Sequence, residues 1–205
     1  MAGEYVFCEW NSVQQQYPRF QQAFAELESR ILAKIGNGPT QKGEWDPKSF
    51  GKLTPGDGQY GRTTILPGMF YGHTGANLGG SWRQALTALG HQILISGNPA
   101  AGWVIPEDFK VAWMGLYFPN KTQCISEIRF QIGDKKYGRI NLEELESYNT
   151  PAIVFEEGFV LDEETSFDLW GYVTDAPNTI HIGMLGALYY KIIDKVLGNT
   201  GALVF

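Results

Sequence analysis

Ser126-Glu127-Ile128-Arg129-Phe130-Gln131-Ile132 is the stretch on which the fold turns. Ile128, Phe130 and Ile132 alternate with Glu127, Arg129 and Gln131, the two-residue period of a strand with one buried face. Gly133-Asp134 follows, a two-residue turn in which glycine takes positive φ without penalty. The return strand is expected over Lys135–Ile140. Asn141 then looks like a helix cap, with Glu144 three residues on, and Pro151 ends any helix that continues past Tyr148.

The same period extends outward in both directions. Phe109–Phe118 is a near-continuous apolar run bounded by Pro106 and Pro119. Ala152–Phe155 and Phe159–Leu161 are apolar, with Glu156-Glu157-Gly158 expected as a turn between them. Thr165–Val173 places Phe167, Leu169, Gly171 and Val173 on one face. Thr179–Ile192 is a long run containing Gly183 and Gly186, which mark bulges or close backbone approach in a strand. Trp82–Ser96 admits a helix capped by Ser81, but Gln92–Ile95 ending at Gly97 favours strand. Seven or eight short strands with turn punctuation predict a mainly β chain, an antiparallel β-sandwich or jelly roll over residues 82–197.

One segment breaks the pattern. Phe20, Phe24, Leu27, Ile31 and Ile35 recur at the helical period between Pro18 and Gly36. Proline suits a first helical turn and glycine a left-handed stop, so one amphipathic N-terminal helix is expected over Pro18–Ile35. Its stripe must bury against its own domain or a neighbouring subunit. Residues 36–80 then hold 12 of the 25 glycines, with Pro39, Pro47, Pro55 and Pro67. Only short strands fit there, such as Arg62–Leu66. The expected organisation is an arm, residues 1–81, followed by a sandwich body, residues 82–205, with an apolar tail.

Composition bounds function. The 205 residues suit one domain. The net charge is -6, and residues 151–205 carry two basic and eight acidic side chains. That excludes a globally basic nucleic-acid binder, and neither end carries an Arg-rich arm. Cys8 and Cys124 cannot form a disulfide framework and are expected as buried thiols, a single long-range bridge being the alternative. Met1–Trp10 lacks the basic region and apolar run of a secretion signal, and no stretch approaches the roughly 20 apolar residues of a membrane helix. A soluble protein made in a cytoplasm is the expectation.

Tests for chemistry are mostly negative. His73, His91 and His181 share no metal-ligand spacing, and no nucleophile elbow or phosphate loop occurs. Gly56-Asp57-Gly58-Gln59-Tyr60-Gly61 matches GxGxxG, but the dinucleotide site needs a strand before it and a helix after it. Glu156, Glu157, Asp162, Glu163 and Glu164 could bind a cation or do acid–base work; at turns, solvation is the simpler role. Trp103, Trp113 and Trp170 could form a sugar-stacking platform, core packing being the preferred reading. Asn120-Lys121-Thr122 is a glycosylation sequon, taken as a surface mark.

The stretches Ile105–Phe109 through Trp113 and Pro119, Ile128–Ile132, Pro151–Val154, Phe159–Leu161 and Phe167–Val173 together resemble the jelly-roll capsid proteins of tailless icosahedral viruses, those infecting archaea among them. The resemblance covers residues 82–197 and rests on strand spacing and turns. It implies a self-assembling shell subunit, not an enzyme, with no catalytic, cofactor or metal residues to assign. Its partners would be copies of itself and other virion proteins, and it would reside in the virion after assembly in the host cytoplasm. The neutral N-terminal segment departs from coat proteins with basic, genome-facing arms. Phe24, Leu27, Ile31 and the terminal Leu203, Val204 and Phe205 are the expected assembly contacts, together with the glycine-rich segment. A carbohydrate- or receptor-binding β-sandwich is the alternative, and a glycoside-active enzyme using the acidic turns is a third.

Overall fold

The computed structural model describes residues 5–8, 18–36, 45, 60–97, 104–119, 124–144 and 151–191. They form a mainly β structure of two antiparallel sheets and one long helix. The strands are β1 (Tyr5–Cys8), β2 (Tyr60–Thr64), β3 (Tyr71–Gly72), β4 (Arg83–Leu86), β5 (Gly90–Ser96), β6 (Phe109–Tyr117) and β7 (Ile125–Ile132). They continue with β8 (Lys135–Lys136), β9 (Ile140–Asn141), β10 (Ala152–Leu161), β11 (Phe167–Val173), β12 (Asn178–His181) and β13 (Gly183–Lys191). The helix α1 spans Pro18–Ile35.

The first sheet runs in the order β1-β10-β6-β13-β2, and the second in the order β3-β5-β11-β7-β8, with β9 also on β7. β12 and β4 form a separate two-stranded ribbon. The pairing is nested. β2 lies against β13, β5 against β11, β6 against β10, and β7 against β8. The earliest of these strands meets the latest, and each later pair lies inside the previous one.

The sheets face each other across an aromatic core. Trp113 of β6 is fully buried, with ring centroids 4.8 Å from Phe130, 4.8 Å from Phe155 and 5.2 Å from Phe167. Edge-to-face geometry dominates there, which suits the ring quadrupoles. A second apolar cluster lies on the other side of the first sheet. Ala112, Met114, Val154, Ala187 and Tyr189 point outward there and are covered by Phe20, Leu27, Ile31 and Ile35 of α1. Thus the alternation in β6 feeds two cores, and that is why Phe109–Phe118 is apolar almost throughout.

Several expectations are met at residue level. Phe167, Leu169, Gly171 and Val173 are all buried on one face of β11. Trp82–Ser96 is extended, as β4 and β5. Asn141 Oδ1 accepts the N–H of Glu143 at 3.0 Å, as a cap does; residues 145–150 lie outside the described residues.

Three local readings change. Glu156-Glu157-Gly158 does not reverse the chain. Both flanks pair with the same strand, Ala152–Val154 on 115–117 and Phe159–Leu161 on 111–113, so the acidic segment is a bulge inside β10. Gly158 takes φ 65°, and a side chain there would strike Met114 and Leu27. The return strand after Gly133 is interrupted, because only Lys135–Lys136 and Ile140–Asn141 pair with β7. The run from Thr179 divides at Ile182, leaving one part to the β4 ribbon and the rest to the first sheet.

The expected boundary at residue 81 does not coincide with a break in the packing. β1 and β2 pair with β10 and β13, β3 pairs with β5, and Ile65 and Phe70 are core residues. The part of the glycine-rich segment that is described, residues 60–80, is therefore built into the sandwich. Its first strand is Tyr60–Thr64 rather than Arg62–Leu66.

Candidate functional site

Two of the five carboxylates singled out in the sequence, Asp162 and Glu163, meet at a residue that was not. Lys110 sits in the apolar run of β6 with its side chain 1% exposed. Its Nζ lies 3.1 Å from Glu163 Oε1 and 3.4 Å from Asp162 Oδ1, just past the end of β10. The ammonium also stands 5.7 Å from the centroid of the buried Trp45 ring. Trp45 Nε1 donates to Glu163 Oε1 at 3.2 Å, and the Asp108 N–H donates to Oε2 at 2.9 Å. Lys34, in the last turn of α1, pairs with Asp162.

This is an ion-pair hub that ties the helix C-terminus and Trp45 to the ends of two strands. Burial pushes the Glu163 carboxyl up. The Asp108 N–H, the hydrogen bond and charge of Lys110, and the Trp45 N–H outweigh burial and hold it below the usual range. A general acid needs the opposite shift. Glu163 is thus suited to holding Lys110 and not to proton donation. Glu156 pairs with Arg19 at 3.0 Å, so the acidic bulge anchors the start of the helix as the hub anchors its end.

A second polar group fixes the middle of the helix. Glu28 Oε1 accepts from the Tyr189 hydroxyl at 2.6 Å and from Arg62 Nε at 2.6 Å. Burial, and then the bond to Glu28, push the Tyr189 phenol well up. Tyr189 remains a neutral donor at any ordinary pH.

The outward face of the second sheet has no helix over it among the described residues. Trp170 and Tyr172 of β11 stand on that face, opposite the buried row of the same strand. The Arg129 guanidinium lies 5.4 Å from the Trp170 ring, and His91 meets Tyr172 edge-on at 5.0 Å. Tyr172 is 41% exposed. The preference for core packing therefore holds for Trp113 and fails for Trp170, because one residue of the alternation separates the two faces. Trp103 lies outside the described residues.

Asp168 lies two residues before Trp170 and opposite Ser96. Its Oδ1 and the Ser96 Oγ are buried without partners, and burial pushes the Asp168 carboxyl up. The folded state therefore binds this proton more tightly than the unfolded chain. Stability should fall as pH rises from the ordinary carboxylate range through the raised value. Asp168→Asn is expected to flatten that slope and raise the melting temperature near neutral pH. A variant whose melting follows the parent's pH profile would show that the carboxylate is solvated.

The other sequence candidates separate. Leu27 and Ile31 are 0% exposed under the chain's own first sheet, so the surface they could offer a neighbour is already taken; Phe24 is half-buried. Leu203, Val204, Phe205 and Asn120 lie outside the described residues. His73, His91 and His181 fall on the β3–β4 connection, β5 and β12, and no metal-holding cluster occurs among the described residues. Gly61, the last glycine of the GxGxxG match, lies within β2, so a strand stands where the dinucleotide site needs a helix. Cys124 is a buried free thiol. No described helix is long and apolar enough to cross a membrane.

Lys110 had one signal in the sequence: a lone cation inside an apolar run. Comparison with family models, with curated proteins and with solved structures finds no match for this chain.

Proposed function

We propose that the protein is a structural subunit that assembles with copies of itself into a closed shell, as the coat protein of an icosahedral virus does. The observation that carries this reading is the nested strand pairing. β2 with β13, β5 with β11, β6 with β10 and β7 with β8 is the order obtained when one long antiparallel ribbon is rolled into two sheets. We read that order as the jelly-roll arrangement, which serves in capsid and lectin domains. The role is structural rather than catalytic, the partners are further copies and other virion proteins, and the site of action is the virion, built in the host cytoplasm.

The test is direct. Purified chain, examined by sedimentation and electron microscopy across salt and protein concentration, is expected to form closed particles of uniform size. A chain that stays monomeric at high concentration under all those conditions overturns the reading. The half-buried Trp170 and exposed Tyr172 on one outward face favour a second reading, a carbohydrate-binding sandwich. Such a module stays small and binds glycans.

A further inference from the structure

We draw no further inference here: the strongest candidate, the outward face of the second sheet where half-buried Trp170 meets Arg129 and exposed Tyr172 meets His91, has no helix over it among the described residues, and nothing in the structure shows what covers it.

Discussion

Replacing Lys110 with Met is expected to lower the stability of the fold by about 3–5 kcal/mol, the range for removing one partner of a buried ion pair. Met keeps most of the volume of the side chain, so packing against Trp45 changes little. What changes is that Glu163 and Asp162 lose the buried cation 3.1 Å and 3.4 Å away, while remaining within reach of each other. The variant also carries a pH signature. Glu163 is held below the usual carboxylate range in the folded protein, so its contribution is present above the ordinary value and lost as pH falls through the depressed one. The parent should therefore lose stability on acidification through that window, and Lys110→Met should lose less. Adding Asp162→Asn and Glu163→Gln should restore part of the melting temperature, because neutral amides need no buried cation. Chemical denaturation at several pH values measures all three proteins. If Lys110→Met is as stable as the parent, the hub is solvated and the ion-pair account fails.

Gly186→Ala is expected to cost roughly 4 kcal/mol or more, enough to abolish soluble expression of a marginal fold. Gly186 lies in β13 at φ 144°, where the register against β6 shifts between Leu185 and Gly186. A Cβ there would overlap the carbonyl of Ala112 and meet the side chain of Ile65. The Ala112 carbonyl is backbone of the central strand and cannot turn aside. Gly80→Ala is the control. Nothing lies within 4 Å of a Cβ at that position, so its melting should match the parent within the ±0.5 kcal/mol of ordinary surface changes. Thermal melting and soluble yield read both variants. A folded Gly186→Ala protein with parental melting would show that β6 and β13 are not so closely apposed.

Local pattern alone was enough for the elements. Ser126–Ile132 declared its buried face because a strand turns over every second residue, and Pro18–Ile35 did so because a helix returns every three to four. The caps and stops, Asn141 and Gly36, were legible because they solve local problems of backbone hydrogen bonding. Gly186 could be marked as a place of close approach because glycine in a strand otherwise only weakens it.

Pairing was not legible, and the proposed function rests on it. Nothing in Tyr60–Thr64 names Ala187–Lys191 as its partner, since the two lie more than a hundred residues apart and the pairing depends on the packing of the whole sheet. Glu156-Glu157-Gly158 has the composition of a turn, yet it bulges, because Ala152–Val154 and Phe159–Leu161 both gain more by staying on β6. The helix stripe offered no sign of whether it faced a neighbour; the outward residues Ala112, Met114 and Val154 of the first sheet decided that it lies on its own chain. Trp113 and Trp170 both stand in apolar strands, and one is core while the other faces outward, since burial depends on which sheet face a second layer covers. The amino-acid sequence thus determined where the chain bends, coils and extends. Only the tertiary structure decided what meets what: Lys110 with Glu163, Glu28 with Tyr189, and Tyr60–Thr64 with Ala187–Lys191.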